Sequence, residues 1–538
     1  MLEAIDRFRI LFGARPLFIT LAILALLLLC DRVLGRQRGA TWPPATARIL
    51  GVVGIASLLA YLTTLIWYTL DQHFFDNAEP SVIAIGWLFH LGQPIYHAPE
   101  SAERYAHIYG PLAFMIHGAA LGTLGPSLVI SKALSAGAAA AGLLLTFLAV
   151  SRHGPVRRVL AFAGVQALLL MAFKNFSYWT RPEPLQLLAV AASLAIATAG
   201  QGTGAAIGVG LASGVLWNLK LTGPLYSLPI FVLFQRRAGW RACIIAAAVG
   251  SIAAALPFVL FENVSLANYL YWFRLSARTG LLLSTLKQNL EWALYFCVPL
   301  LIACFATPAL EGGPARRGLG EWRLAAIALA AAMAALAIPA AKPGAGPYHF
   351  MPFLPTIAYL VAWRTNAFDS RAIVEPLVPR AVIAFVAAAA VVAIAQQATF
   401  VATMIERRTR DEAGDIDRFA RAQRDPVAMG YGATEAFSLA RPLLTFRTGR
   451  YLIDQPAVRE HQLEGIELPP ATLDALARCQ IKYWLIPKDE PPFVGRNVYA
   501  AVFFRPIFSD AFRETFHAAY AKTGSTEYYD IWQCAGPP

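Results

Sequence analysis

Charge is what this 538-residue sequence has least of. Only 14% of its residues are Asp, Glu, Lys or Arg, where a soluble domain carries roughly 25%. Hydrophobic residues make up 57%, and the mean hydropathy is +0.52. Such a chain cannot cover a soluble surface, so an ordinary cytosolic enzyme is excluded. Disorder is excluded for the same reason. The nine His residues show no metal-ligand spacing, so no metal or other cofactor is indicated. No Walker A, G-x-S-x-G, H-E-x-x-H or C-x-x-C pattern stands in a suitable context, which removes the chemistries those motifs serve. Cysteine is scarce as well, with six residues. Cys30, Cys243, Cys297 and Cys304 lie in apolar segments and read as packing residues. Cys479 and Cys534 lie in a polar segment. They can pair if that segment faces an oxidising compartment, and two free thiols stay open. No small-residue cleavage site follows the apolar run Leu17–Cys30, so the run reads as an uncleaved span.

What remains is an α-helical polytopic membrane protein. A span needs about 20 apolar residues. Candidates lie near 12–30, 49–70, 128–150, 159–173, 184–200, 203–219, 223–235, 241–260, 289–309, 323–341, 350–363 and 381–405, about twelve in all. Five Arg clusters separate alternate pairs of them. These begin at Arg32, Arg152, Arg236, Arg316 and Arg364. Strict alternation puts all five on one side, which the positive-inside rule makes the cytoplasm. Arg7, Arg9 and Arg15 then sit outside, so residues 1–45 read as an extra N-terminal membrane segment. The outer side receives the long loop 71–127, and shorter loops at 174–183, 218–223, 261–288 and 342–349. In 71–127, Val82–Leu91 and Leu112–Leu124 read as interfacial helices. The outer side also receives residues 406–538, which have soluble composition. They hold 17 Lys/Arg against 18 Asp/Glu, so the net charge of +12 belongs to the membrane part and not to a nucleic-acid surface. Short strands at Ala428–Gly430, Tyr483–Ile486 and Tyr528–Trp532, with helices at Thr472–Arg478 and Asp510–Tyr520, predict a C-terminal periplasmic α/β domain.

Basic residues on the outer side oppose the positive-inside rule and are therefore informative. Lys174, Lys220 and Lys342 are single cations beside the outer ends of spans. Arg181 stands in Arg181-Pro182-Glu183-Pro184, and His349 follows Lys342 in a Gly- and Pro-rich turn. Convergence of these cations would hold an anion such as a lipid-linked phosphate. Separate snorkelling to head groups is the other reading. Asp76 and Glu79 stand in Asp71-Gln-His-Phe-Phe-Asp76-Asn-Ala-Glu79-Pro80. A carboxylate there can act as a general base on an acceptor hydroxyl. The structural alternatives are a helix cap for Asp76 and a first-turn residue for Glu79. Asp71 reads as a span terminus. Glu183 can assist Asp76 or simply pair with Arg181.

The order of these features resembles the GT-C superfamily of polyprenyl-phosphate-sugar-dependent glycosyltransferases, which includes protein O-mannosyltransferases and lipid A aminoarabinose transferases. The carriers are the acidic motif after an early span, Tyr109-Gly110-Pro111-Leu112, and Arg181-Pro-Glu183-Pro. Lys220-Leu-Thr-Gly-Pro and Pro347-Tyr-His349-Phe-Met-Pro complete them. The resemblance covers about 46–405, the expected transmembrane catalytic domain. It implies an inverting transfer, with Asp76 in the base position and Glu183 in a second acidic position. It places Arg181, Lys220 and Lys342 near the donor phosphate. The acidic motif is Asp-Asn-Ala-Glu here and not adjacent acids, which leaves Asp76 against Glu79 open.

The expected protein is thus an inner-membrane glycosyltransferase with a periplasmic active site. Its catalytic candidates are Asp76, Glu79 and Glu183. Its phosphate-binding candidates are Lys174, Arg181, Lys220, Lys342 and His349. Its partners are a polyprenyl-phosphate-linked sugar, membrane lipids, and a glycan, lipid or protein acceptor. A lipid-linked oligosaccharide polymerase or ligase shares the donor site and is an alternative. A lipid or solute transporter is another, although no inverted repeat supports it.

Overall fold

The computed structural model describes residues 13, 15–33, 44–105, 107–153, 156–305, 315–366, 377–433, 438–496 and 506–535. Arg7, Arg9, Arg36, Arg38 and Arg371 lie outside the described residues. In chain order the helices are α1 (Pro16–Val33), α2 (Pro44–Leu70), α3 (Ala78–His90), α4 (Pro111–Leu124), α5 (Leu128–Ser151), α6 (Val156–Met171), α7 (Pro182–Ala199), α8 (Thr203–Leu219), α9 (Gly223–Leu260) and α10 (Leu266–Ala277). They continue as α11 (Leu283–Phe305), α12 (Ala315–Ala337), α13 (Leu354–Asn366), α14 (Leu377–Arg408), α15 (Glu412–Ala422), α16 (Pro442–Thr448), α17 (Gln455–Leu463), α18 (Pro470–Ala477) and α19 (Asp510–Ala519). The strands are β1 (Val427–Met429), β2 (Tyr483–Pro487), β3 (Tyr520–Ser525) and β4 (Tyr529–Cys534).

Six stretches among the described residues are long and apolar enough to cross a membrane: Arg48–Leu70, Leu128–Ser151, Pro182–Ala199, Gly223–Leu260, Gly320–Ala341 and Leu377–Ala422, the last made of α14 and the separate short α15. The chain is a multi-pass membrane protein. The segments 223–235 and 241–260 are joined in α9, which breaks at Gly239 with φ 81° and ψ 174°. That positive φ is open to glycine without a Cβ clash. The expected span at 350–363 is divided: Pro347–Phe353 is a 3-10 turn and α13 has only 13 residues. Pro347 and Pro352 lack amide donors, which favours the tighter turn before the helix starts.

Contacts divide the chain into two units. The first takes Met1–Tyr68, Ser135–Ala254 and Leu281–Thr403. The helix α7 is its packed centre, lying against α8, α13 and the 3-10 turn Pro347–Phe353. Small residues permit close approach between lipid-exposed helices. A Cβ added to Gly164 would sit 2.0 Å from Gly54 Cα, so α2 and α6 touch backbone to backbone.

The second unit takes Thr69–Leu134, Ala255–Gly280 and Met404–Pro538. Two stretches between candidate spans thus fold with the C-terminal residues. The strand order is β1-β2-β4-β3, with β1 and β2 parallel and the other pairs antiparallel. Successive residues of a strand face opposite sides. Trp484 and Ile486 accordingly join Phe493, Phe508, Phe512 and Phe516 in one core. Leu485 joins Val427, Met429, Leu444 and Tyr529 in the other. The strand β3 is not predicted by its sequence, because Ala521–Ser525 is exposed and carries no apolar alternation. Its register with β4 shifts between Lys522 and Gly524. Cys479 and Cys534 form a disulfide with Cα atoms 5.9 Å apart. It ties the end of β4 to the turn after α18.

Candidate functional site

The candidate residues fall into two clusters, one in each unit. In the first unit, Pro182 and Pro184 fit the first turn of α7, where their missing amides cost nothing. Glu183 therefore sits at a helix N-terminus, where a carboxylate is favoured by the exposed amides. Its side chain is fully buried. Glu183 Oε1 accepts from Lys220 Nζ at 3.0 Å, and Oε2 accepts from Trp179 Nε1 at 3.0 Å. Arg181 Nε is 3.8 Å from Oε2, and His349 Nδ1 is 3.8 Å from Oε1. Lys220 ends α8 in extended backbone. The turn Pro347–Phe353 delivers His349, held by Tyr226 Oη donating to the His349 carbonyl at 2.8 Å.

Lys220 Nζ is 3.2 Å from His349 Nδ1. An ammonium can only donate, so Nδ1 accepts and the imidazole proton is on Nε2. Burial, reinforced by Lys220, pushes the His349 pKa well below its usual range. Arg181 lies over the Trp179 ring, its guanidinium carbon 3.9 Å from the centroid, and donates from Nη2 to Tyr348 Oη at 3.0 Å. Lys342, half-buried at the end of a 3-10 turn, adds a further positive charge that acts on Lys220. The cluster thus joins Arg181, Glu183, Lys220 and His349, with Lys342 contributing through its field. Lys174 is placed on the tight turn after α6 with φ 57°. Its carbonyl accepts from Gln397 Nε2 at 3.1 Å. Trp179 and Tyr348 are part of the site's wall. Sequence reasoning missed them, since aromatic residues are common at span ends.

In the second unit, Asp76 and Glu79 lie at the start of α3. Asp76 is half-buried, and its Oδ1 accepts from Ala78 N at 2.9 Å. Glu79 is fully buried, and its Oε1 accepts from Phe75 N at 3.3 Å. Glu79 therefore closes the turn that displays Asp76, as a first-turn residue does. Asp71 is more than a span terminus. It is 2% exposed and receives Arg408 Nε at 2.7 Å, His73 N at 2.8 Å and His73 Nδ1 at 2.8 Å. Burial opposes its charge, but the hydrogen bonds from His73 and Arg408 prevail and hold its pKa at about 2. Lys132 Nζ donates to the Asp71 and His73 carbonyls at 2.8 and 2.7 Å. Arg407 donates to the Phe74 carbonyl. From the other side, Arg441 Nη2 donates to the Asn77 carbonyl at 2.5 Å and to Ser81 Oγ at 2.8 Å. Sequence reasoning missed Lys132, Arg407, Arg408 and Arg441, because long cations near span ends or in polar segments ordinarily face solvent.

Among the described residues, no group of three His, Cys, Asp or Glu side chains could hold a metal ion. No protein-family model and no curated protein matches the sequence. Solved structures do match. ArnT from Cupriavidus metallidurans bound to undecaprenyl phosphate superposes with a TM-score of 0.53 and 13% identity, covering 89% of this chain and 97% of that one. The apo form of the same protein gives a TM-score of 0.53 and 13% identity, covering 91% and 98%. At this identity the likeness speaks for the fold alone, and the chain has an ArnT-like fold along most of its length.

Proposed function

We propose that the chain is a membrane glycosyltransferase that takes its sugar from a polyprenyl-phosphate donor at the periplasmic face of the inner membrane. One observation carries this reading. The buried Glu183 cluster brings Arg181 and Lys220 against a single carboxylate, with Lys342 adding to its positive field. Cations that converge on one point offer charge-assisted donors to an anion. A lipid phosphate supplies it, and the shared fold with a protein that binds undecaprenyl phosphate supports that choice. Arg181, Lys220, Lys342 and His349, the last through its Nε2 proton, hold the donor phosphate in this reading, with Lys174 as a further cation.

In the reaction, a hydroxyl oxygen of a glycan, lipid or protein acceptor attacks C1 of the sugar. The bond from C1 to the phosphate oxygen breaks, and its electron pair stays on the phosphate. Asp76 takes the hydroxyl proton, and C1 inverts. Asp76 is preferred over Glu79 because it is half-buried, while Glu79 is fully buried. The disulfide between Cys479 and Cys534 fits an oxidising periplasm.

The test incubates purified protein with a panel of undecaprenyl-phosphate sugars and acceptors, and reads release of undecaprenyl phosphate. Release is expected with at least one donor. Asp76→Asn should lower it by roughly 10²–10⁴-fold, the usual contribution of a general base. No release and no saturable donor binding would overturn the reading.

A further inference from the structure

We infer that Arg441 and Asp454 are positioning residues for the turn that carries Asp76. This inference rests on the reading of Asp76 as the base, and it concerns residues far from it in sequence.

Arg441 ends the turn before α16 and is 2% exposed, and Asp454, just before α17, is 0% exposed. A buried guanidinium must spend its five donors on acceptors in fixed directions. Arg441 Nη2 reaches the Asn77 carbonyl at 2.5 Å, Ser81 Oγ at 2.8 Å and Asp454 Oδ1 at 2.9 Å. Its Nε donates to Tyr451 Oη at 2.7 Å, and Nη1 donates to the Ser438 carbonyl at 3.1 Å. Tyr451 Oη in turn donates to Asp454 Oδ1 at 2.5 Å. The plane of the guanidinium is thereby set by the C-terminal residues, and the remaining acceptors belong to the first turn of α3.

Asn77 is the next residue after Asp76, and the two share a peptide bond. Fixing the Asn77 carbonyl fixes the backbone one residue from the Asp76 carboxylate. Ser81 Oγ also donates to the Asn77 carbonyl at 3.3 Å, so Arg441 grips a turn already folded on itself. Asp454 is anchored independently. Its amide donates to the Arg104 carbonyl at 2.8 Å, and His107 Nε2 is 3.4 Å from its Oδ2. Burial works against the Asp454 charge, but Arg441, His107 and Tyr451 together outweigh it and hold the carboxyl below its ordinary range.

A fold-stabilising ion pair alone would need none of these contacts to the Asn77 carbonyl and Ser81. A base misplaced by about 1 Å loses on the order of 100-fold in rate. The clamp holds the turn that carries the proposed base, so its loss should appear in kcat while donor KM stays unchanged.

The decisive variant is the double substitution Arg441→Gln with Asp454→Asn, which removes both buried charges together and avoids leaving one unpaired. It is assayed in detergent with the undecaprenyl-phosphate sugar panel, beside wild type and Asp76→Asn. Thermal unfolding is measured in parallel, with amide exchange across residues 74–82. The expected result is kcat lowered 10- to 100-fold, KM within twofold of wild type, and faster exchange at 77–81 without loss of the global transition. Wild-type kcat in the double variant, with Asp76→Asn inactive, overturns the clamp and leaves the base standing. Full activity of Asp76→Asn, or no release by wild type from any donor, overturns the base or the glycosyltransferase reading and the clamp with it. If the double variant does not fold, Ser81→Ala and Arg441→Lys carry the test. Unchanged kcat in both overturns the proposal.

Discussion

Glu183 shows how a single carboxylate organises cations that sequence alone leaves scattered. It accepts from Lys220 and Trp179 and stands 3.8 Å from both Arg181 and His349. Removing one partner of a buried pair commonly costs about 3–5 kcal/mol, because the other charge is left uncompensated. Glu183→Gln should therefore lower the unfolding temperature. Added undecaprenyl phosphate should restore part of the loss, by supplying the missing anion. A thermal shift in detergent with and without the lipid checks this, and no recovery would count against the phosphate assignment. Lys220→Met removes a charge-assisted donor worth about 1.5–3 kcal/mol. It should weaken undecaprenyl phosphate binding by roughly 10- to 100-fold, measured by titration. The cations of this cluster are legible in the sequence because they sit at span ends opposite to those that carry the Arg clusters, where the positive-inside rule would not place them. Arg441 and Asp454 are not legible. They occur in a segment of balanced charge, and only tertiary packing distinguishes their burial from ordinary exposure.

At the level of elements, α3 and α4 pack through glycine. A Cβ on Gly118 would sit 2.3 Å from the Gly86 carbonyl oxygen. Gly118→Val should separate the two helices and destabilise the second unit by about 1–3 kcal/mol, read by thermal unfolding. The helices α10 and α17 meet at Trp272, which stacks on His461 with centroids 4.6 Å apart and meets His97 edge-on at 4.7 Å. His97 Nε2 accepts from Tyr105 N at 3.1 Å while Nδ1 donates to the Ala98 carbonyl at 3.1 Å, an arrangement that requires the neutral ring. Burial lowers the pKa of both His97 and His461 to about 3. An unfolded histidine titrates near 6.5. Below that pH the unfolded state binds protons that the folded state refuses, so stability is complete above about 6.5 and falls as pH drops toward 3. The slope is roughly 1.4 kcal/mol per histidine per pH unit. Unfolding between pH 7.5 and 5 should show it, and His461→Phe should flatten it. Asp71 adds loss in the same direction, beginning near pH 4. Strand positions at 427–429 and 483–487 are legible from short apolar runs, but the contacts of α3 with α16 and of α10 with α17 are not. These join segments roughly 180–370 residues apart.

For the whole molecule, the Arg clusters on alternate loops predict a single orientation in the membrane. A phosphatase fused after the last residue should be active only on the periplasmic side, whereas fusions within 236–241 should be silent. Active fusions at 236–241 would invert the topology. The same orientation predicts that the Cys479–Cys534 bond forms only after export, and reduction should destabilise the second unit by roughly 2–4 kcal/mol. The division into two units is the least legible feature. The polar composition of 406–538 marks where soluble character begins, yet Thr69–Leu134 and Ala255–Gly280 join the same unit despite their apolar runs.

That interleaving sets a timetable for synthesis. The turn bearing Asp76 leaves the ribosome early, but Met404, where the last part of its unit begins, lies about 270 residues beyond Leu134. Arg441 itself follows Asn77 by 364 residues, so at about 5–20 residues per second the nascent turn waits roughly 18–73 s for it to arrive. During that interval an unfinished chain already threaded into the membrane holds its acidic turn unsecured. A premature stop after residue 405 would leave it so permanently. Such a product should reach the bilayer, remain inert, and present an open segment to quality-control proteases.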